Sequence, residues 1–97
     1  MKEKQIEKRL TDMVKARGGM SLKFISPGNV GMPDRIVLFP EGRIGFVELK
    51  APGKRLRPLQ EKRKRQLEGL GFLVFCLDSV EEIPGVIAQI KDGGYAR

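Results

Sequence analysis

The sequence contains no histidine and a single cysteine, Cys76. The absence of histidine argues against metal sites built on imidazole ligands and against acid–base mechanisms that depend on histidine. A single cysteine forms neither an internal disulfide nor a zinc cluster, so Cys76 is expected to be an ordinary core residue. No apolar run reaches the roughly 18 residues that a membrane span requires, and the N-terminal stretch MKEKQIEKRL has no signal-peptide core. We therefore expect an intracellular, cytoplasmic protein with no membrane segment.

Acidic residues are scarce in one segment of a chain whose formal net charge is +7. Residues 54–65, KRLRPLQEKRKR, contain seven Lys or Arg and one Glu. A charge run of this kind is often the solvated face of a helix. A concentrated basic segment also suits binding to the phosphate backbone of a nucleic acid. Composition alone leaves both interpretations open.

Hydrophobic periodicity predicts an alternation of helices and strands in one small α/β domain that spans residues 1–97. The predicted helices are 4–17, 58–69 and about 80–91, and the predicted strands are 21–25, 34–39, 43–49 and 72–77. The turn PEG at 40–42 should join the second and third strands in an antiparallel hairpin. The order is therefore α-β-β-β-α-β-α, with residues 93–97 as a loose tail.

Two features refine the prediction for the C-terminal third. The strand FLVFCL (72–77) is apolar throughout, which is typical of an interior strand covered on both faces, and the first two helices are its expected covers. Ser79 and Glu82 have the spacing of a capping box before the last helical segment, which should be interrupted or restart at Pro84. That segment offers more apolar surface than one thin core needs, through Val80, Ile83, Val86, Ile87 and Ile90.

Side chains that can carry chemistry cluster at one end of the predicted hairpin. Because side chains alternate along a strand, Glu48 and Lys50 lie on one face, about 7 Å apart, and can converge on a target beyond the strand end. Asp34 opens the preceding strand. In an antiparallel hairpin the start of one strand lies beside the end of the other, so Asp34 and Glu48 should meet at the same edge of the sheet.

Two adjacent carboxylates repel each other unless a cation or a shared proton relieves the repulsion. A hard divalent cation such as Mg²⁺ takes oxygen ligands, often one or two carboxylates with water molecules completing the shell. The pattern therefore indicates a metal site that contains Asp34 and Glu48. The alternatives are structural, because Glu48 and Lys50 can form an ordinary ion pair and Asp34 can pair with Arg35 or cap the loop before it.

Three helix positions are suited to face a cleft. Glu7 lies at the edge of the buried stripe of the first helix, and Gln60 lies at the corresponding edge of its own helix. Each position alone is also typical of an ordinary boundary residue. Arg63 falls inside the apolar stripe of its helix, so its side chain must reach solvent, pair with another group or contact a ligand. That stripe consists of Leu59, Leu67 and Leu70.

The order of these residues resembles the signature of the PD-(D/E)XK nucleases. Glu7, PDR (33–35), ELK (48–50) and RPLQ (57–60) are similar to the VRR-NUC group within them, the virus-type replication-repair nucleases. The resemblance runs from about residue 3 to residue 79 and includes GG, SPG and LGF between the main motifs. It implies a restriction-endonuclease-like αβββαβ core with a mixed sheet flanked by helices, and nuclease activity. A phage-encoded protein that acts in the host cytoplasm would fit this group.

The same resemblance implies a metal site and a catalytic lysine. Asp34 and Glu48 would bind Mg²⁺, with Mn²⁺ as a substitute, and the backbone carbonyl of Leu49 would be a third ligand. Lys50 corresponds to the catalytic lysine. Hydrolysis of a phosphodiester fits this set of residues, because a metal activates water and neutralises charge on the phosphate.

Two helix residues also have counterparts in the group. Gln60 is similar to its helix glutamine, and Glu7 is similar to the acid of its first helix. Glu3 is a rival for that acid, because it also lies near the buried stripe.

The resemblance also assigns the substrate class. The basic residues expected to contact the DNA backbone, without reading its sequence, are Lys54, Arg55, Arg57, Lys62 and Arg63. Members of the group that stand alone look like junction-resolving dimers, so we expect a homodimer that acts on four-way or other branched DNA. No added DNA-binding module is present in the sequence, so the substrate itself stays open.

Three other interpretations compete with this one. The sequence GNVG (28–31) matches the G-x-x-G loop of KH RNA-binding modules, but that loop joins two helices and here it lies between predicted strands. The sequence APGK is not a phosphate-binding P-loop, because position 48 is Glu48 where that pattern requires glycine. A non-catalytic nucleic-acid-binding or partner protein with a nuclease-like fold is the strongest rival, although intact Asp34, Glu48 and Lys50 argue against lost activity.

Overall fold

The predicted order of elements is confirmed in the computed structural model, which describes residues 1–93. The elements are α1 (Glu3–Ala16), β1 (Met20–Lys23), β2 (Arg35–Phe39), β3 (Arg43–Leu49), α2 (Pro58–Gly69), β4 (Leu73–Leu77), a 3₁₀ turn (Val80–Glu82) and α3 (Ile83–Lys91). Of the predicted tail, Gly93 closes a turn after α3 by donating its backbone N–H to Ile90, and residues 94–97 lie outside the described residues.

The four strands form one mixed sheet in the order β1-β2-β3-β4. The pairs β1–β2 and β2–β3 are antiparallel, and β3–β4 is parallel. The predicted hairpin is confirmed, with Phe39 opposite Arg43 across the turn at 40–42. Its register pairs Arg35 with Val47, so the next residue outward, Asp34, lies beside Glu48. The loop that contains GNVG lies between β1 and β2, which excludes the KH arrangement.

The two faces of the sheet are covered unequally. On one face, α1 and α3 bury the main core, which consists of Ile6, Leu10, Val14, Val37, Phe39, Val47, Leu49, Leu77, Ile83, Val86, Ile87 and Ile90. Gly45 lets α3 lie close to this face, because a Cβ there would come within 2.6 Å of the Ile90 side chain. The other face has only α2 and a smaller cluster of Phe46, Leu67 and Val74. The thinly covered face is the one that carries Glu48.

The prediction that FLVFCL is an interior strand is wrong. Within residues 1–93, β4 pairs only with β3 and forms an edge of the sheet. The prediction for Cys76 is also wrong, because this residue is exposed. Cys76 lies opposite Glu48, on the face where α2 covers Val74 with Leu67 but does not extend to the end of the strand. The apolar run 72–77 therefore belongs to an edge strand, and the exposed end of that strand lies beside Glu48.

The apolar C-terminal segment is not a surplus surface. Ile83, Val86, Ile87 and Ile90 are buried in the chain's own core, and Val80 packs against it. The predicted restart is confirmed, since a 3₁₀ turn precedes α3 and Pro84 stands in the first turn of that helix. The predicted capping box is absent, because Ser79 donates its hydroxyl to the Glu82 side chain instead of capping the helix. Within residues 1–93, no helix is both long enough and apolar enough to cross a membrane.

Candidate active site

Asp34 is fixed at the end of the β2–β3 hairpin by two backbone hydrogen bonds. Its carboxylate Oδ2 accepts the N–H of Leu49 at 3.0 Å. Its carbonyl oxygen accepts the N–H of Phe24 at 2.8 Å, which extends the β1–β2 ladder by one residue. The structure therefore brings Asp34 to the end of β3, where the antiparallel register was expected to place it.

Glu48 is the only charged residue among residues 1–93 that is buried, with 6% of its surface exposed. Its Oε2 accepts a hydrogen bond from Nε2 of Gln60 at 3.0 Å and lies 3.9 Å from Nζ of Lys50. Its Oε1 is also buried and has no hydrogen-bond partner within the described part of the chain. A buried acceptor without a partner is costly, so this oxygen is the natural position for a cation or a proton.

Gln60 holds the Glu48 carboxylate in a defined orientation. The backbone N–H of Arg57 donates to Oε1 of Gln60 at 2.9 Å, at the start of α2. Because a backbone N–H can only donate, the amide oxygen is committed to Arg57 and the amide nitrogen must face Glu48. The Gln60 side chain thus caps α2 and holds Oε2 of Glu48. Oε1 of Glu48 is left available to bind a cation or a proton.

Burial raises the pKa of Glu48 from 4.5 to about 7, and the charge of the neighbouring Asp34 adds to this shift. Lys50 opposes the shift and Glu3 adds a small further increase. Burial is thus the main cause of the raised pKa of Glu48, and the charge of Asp34 and a hydrogen bond shared with its carboxylate reinforce it.

The donor set fits a hard cation held by few protein ligands. No group of three or more His, Cys, Asp or Glu side chains suited to a metal is present in residues 1–93. Two carboxylates with water molecules are nevertheless a common set for Mg²⁺, which keeps much of its hydration shell. The buried, unpartnered Oε1 of Glu48 beside Asp34 fits such an ion. The assignment of Asp34, Glu48 and the Leu49 carbonyl as ligands stays a prediction.

Glu7 lies on the other face of the sheet from Glu48. Its Oε2 accepts hydrogen bonds from Arg35, with Nε at 3.1 Å and NH2 at 3.0 Å. Arg35 also donates to the carbonyl of Ser21. This ion pair ties α1 to the residue that follows Asp34. The strand pattern indicated the face of Arg35 but not its partner: Arg35 lies two residues before the buried Val37, so both side chains point toward α1.

A cleft of about 330 Å³ opens where the strand ends meet the N-terminus of α1. Its lining consists of Glu3, Lys4, Glu7, Lys23, Phe24, Ile25, Asp34 and Leu49. Glu3 is exposed, and its carboxylate forms no ion pair or hydrogen bond with any other residue in 1–93. Of the two rival acids, Glu3 therefore has the free carboxylate, and Glu7 has the paired one.

The predicted DNA-contacting residues differ in exposure. Lys54, Arg55, Arg57 and Lys62 are exposed on α2 and the loop before it. The loop is held to the strand end, since Gly53 donates its N–H to Asp78. Arg63 is half-buried and donates to the carbonyl of Val30 at 2.9 Å and to Gln66. Of the three expected outcomes for Arg63, the structure therefore shows hydrogen bonding to other groups. Of the leucines in the apolar stripe of this helix, only Leu67 is buried.

The raised pKa of Glu48 predicts a pH-dependent stability difference. The folded state holds this proton more tightly than the unfolded state, so the metal-free wild type should lose stability as the pH rises from 4.5 to about 7. Glu48→Gln removes the charge, keeps an acceptor for Gln60 and gains a donor toward Asp34. In EDTA it should exceed the wild type by about 3 kcal/mol in unfolding free energy at pH 8, and by little at pH 4.

Urea unfolding at both pH values measures this difference. Glu81→Gln, which removes an exposed carboxylate from the 3₁₀ turn, is the matched control and should follow the wild type at both values. A Glu48→Gln effect of the same size at pH 4 and pH 8 would contradict the assignment.

The Glu7–Arg35 pair predicts a rescue by charge exchange. Glu7→Arg or Arg35→Glu alone places like charges face to face in a partly buried position, and each should lower the unfolding free energy by about 1–3 kcal/mol. The double variant should recover most of the loss. Urea unfolding of the four proteins checks this, and losses that simply add in the double variant would show that the pair contributes no coupling.

Known proteins resemble this chain over nearly its whole length. The family model described as the VRR-NUC domain matches residues 1–81. A protein of Acyrthosiphon pisum secondary endosymbiont phage 1, which bears the provisional name nuclease p44, is 47% identical over 91 residues. That match covers 94% of this chain and 97% of the relative. A solved structure described as a VRR-NUC domain superimposes with a TM-score of 0.82 at 29% identity, and it covers 89% of this chain and 94% of its own. The chain belongs to the VRR-NUC family of nucleases.

Proposed function

We propose that this nuclease is a Mg²⁺-dependent DNA endonuclease that hydrolyses phosphodiester bonds and prefers four-way or other branched DNA. The observation that carries the proposal is the pair of Asp34 and the buried Glu48 at one strand end, with Oε1 of Glu48 unpartnered among residues 1–93. Lys50 stands beside this pair. The set supplies an acidic metal site and a cation next to it, which are the groups that phosphodiester hydrolysis requires.

Each residue of the site has a distinct task in this proposal. Asp34, Glu48 and the carbonyl of Leu49 would hold the metal. When bound, Mg²⁺ lowers the pKa of a water molecule and neutralises charge on the phosphate. Gln60 keeps Oε2 of Glu48 engaged, so that Oε1 faces the cation. Lys50, whose side chain is 12% exposed, would orient the attacking water or stabilise the negative charge that develops on the phosphorus oxygens.

The acid of the first helix is assigned from charge and pairing. Glu3 has an unpaired carboxylate in the cleft, so we assign it the role of holding an outer-shell water. Glu7 is neutralised by Arg35 and acts as a positioning residue for the strand that begins after Asp34. The charge-exchanged double variant of Glu7 and Arg35 should therefore recover cleavage together with stability. Recovered stability without cleavage would return Glu7 to a direct role at the metal.

Removing either carboxylate should abolish cleavage without unfolding the chain. Asp34→Asn and Glu48→Gln should each reduce metal-dependent nicking of plasmid or branched DNA by at least about a hundredfold, a loss typical of a group that acts on the transition state. The metal-free melting temperature of both variants should be unchanged or raised, because the repulsion between the carboxylates is relieved. Gel assays with Mg²⁺ or Mn²⁺, with Glu81→Gln as the control, measure this.

Wild-type cutting rates in either carboxylate variant would contradict the assignment of the site. A wild type that binds branched DNA but cuts none of a panel of duplex, flap, fork and four-way junction would favour the alternative function, a non-catalytic nucleic-acid-binding protein.

The basic segment should provide affinity for the DNA backbone. Lys54, Arg55, Arg57 and Lys62 are exposed around the start of α2, the end of the helix that also holds Gln60 against Glu48. Changing Arg55, Arg57 and Lys62 to Ala should lower the log–log salt slope of duplex binding by about 0.9 for each lost phosphate contact.

The matched control removes the same charge elsewhere. Arg9, Lys15 and Arg17 are exposed on α1 or just after it, and Lys15 and Arg17 lie at the end of α1 that is far from the cleft. The triple Ala variant at these positions should keep most of the wild-type slope. Equal slopes for the two triple variants would assign residues 54–65 to an ordinary solvated surface.

The branched substrate is proposed from symmetry. One active site makes one nick, and two copies related by a two-fold axis would place two sites on the nearly symmetric arms of a four-way junction. The buried α3 does not supply the contact surface. Exposed apolar side chains at Val30, Leu59 and Leu70 lie around α2 instead, and we assign the contact to them.

Light scattering at micromolar concentrations, combined with competition between junction and duplex, tests the dimer and the substrate together. We expect a homodimer that prefers junctions and makes paired cuts, and Leu70→Lys should weaken the dimer. A stable monomer that cuts flaps and ignores junctions would contradict this part and leave the nuclease assignment in place.

A further inference from the structure

Ile25 is the exposed apolar side chain of a cleft whose other apolar lining residues, Phe24 and Leu49, are half-buried and buried. It is 77% exposed, which is more than any other large hydrophobic residue named as exposed in residues 1–93. It lines the cleft together with Asp34 and Leu49, and Lys4 and Lys23 lie in the same lining. Ile25 belongs to neither hydrophobic cluster formed by residues 1–93.

The backbone holds Ile25 in a fixed place. The preceding residue, Phe24, donates its N–H to the carbonyl of Asp34 at 2.8 Å. The ring of Phe24 packs edge-on against Phe46, with 5.5 Å between ring centroids. Ile25 is therefore one residue from a point that is tied both to the candidate metal ligand and to the smaller core. A side chain anchored in this way can resist force from a neighbouring group.

We propose that Ile25 is a wedge that contacts the base beside the scissile phosphate and unstacks it, while Lys4 and Lys23 contact the flanking phosphates. This inference rests on the proposed function, since it names how the same site selects its DNA. Apolar side chains that insert between base steps are a general means of distorting a duplex. Lys4 and Lys23 in the same lining suit a nucleic-acid strand, since their charges complement those of the backbone phosphates.

The wedge gives a physical reason for a preference for branched DNA. Unstacking a base costs least where pairing is already interrupted, as at a branch point or a mismatch. A phosphate next to such a base can reach the cleft with little distortion of the duplex. The preference would then come from Ile25 and the deformability of the substrate, with no contact to base edges.

Substitution of Ile25 on matched substrates tests the wedge. The cleavage position of the wild type is mapped first, and two DNAs are then prepared, one fully paired at the base beside the cut and one mismatched there. Single-turnover cleavage by Ile25→Ser should fall about tenfold on the paired DNA and less than about threefold on the mismatched DNA, given the usual stacking contribution per base. Ile25→Leu should stay close to the wild type on both.

Met20→Ser is the matched control, because Met20 is a 57% exposed apolar residue of β1 that belongs neither to the cleft lining nor to the proposed dimer contact. It should cut both DNAs at the wild-type rate. An Ile25→Ser variant that equals Met20→Ser, or that loses the same factor on both DNAs, would overturn the wedge. The wedge would also be overturned if Ile25→Ser weakened the dimer but left the ratio of cleavage rates on the two DNAs unchanged. If the wild type itself cuts neither DNA with metal, the proposed function fails, which is a separate result.

Discussion

The repulsion between Asp34 and the buried Glu48 is the constraint on which the rest of the site depends. Burying a carboxylate is costly unless its oxygens are paired. Glu48 is nevertheless buried, and one of its oxygens has no hydrogen-bond partner among residues 1–93. The surrounding groups hold the acid in place without neutralising it fully. Gln60 occupies one oxygen, Lys50 stands at 3.9 Å, and the raised pKa records the remaining cost. A cation would remove that cost, which links the stability of the fold to its chemistry.

The unequal covering of the sheet allows a small chain to carry such a site. Two helices seal one face, and the contact of α3 at Gly45 shows how closely they pack. The other face has one helix and a three-residue cluster. Most of the stabilising apolar contacts therefore lie on the first face, and the second face leaves room for a substrate. The strand ends at which Asp34 and Glu48 meet lie at the boundary between these regions. The edge position of β4 and the exposure of Cys76 are consequences of the same arrangement.

Much of the fold could be predicted from local patterns. Helical spacing in α1, the turn at 40–42 and Pro58 at the start of α2 each act over a few residues, and all three were confirmed. The meeting of Asp34 and Glu48 followed from one register rule. The position of β4 could not be predicted in this way, because an apolar run has the same appearance in an interior strand and in an edge strand that is covered on part of its length. The pairing of Glu7 with Arg35 depends on how α1 crosses β2, which no local pattern specifies. The exposure of Ile25 was equally hidden, since it depends on a cleft formed by three separate elements.

Metal binding is the sharpest test of a cation site at Asp34 and Glu48, because it needs neither a substrate nor a second protein. Binding of Mn²⁺ to the wild type and to Asp34→Asn can be followed by electron paramagnetic resonance at pH 7. We expect saturable binding in the wild type, accompanied by proton release from Glu48, and loss of both in Asp34→Asn, whereas Glu81→Gln should retain them. Undiminished Mn²⁺ binding by Asp34→Asn would contradict this expectation.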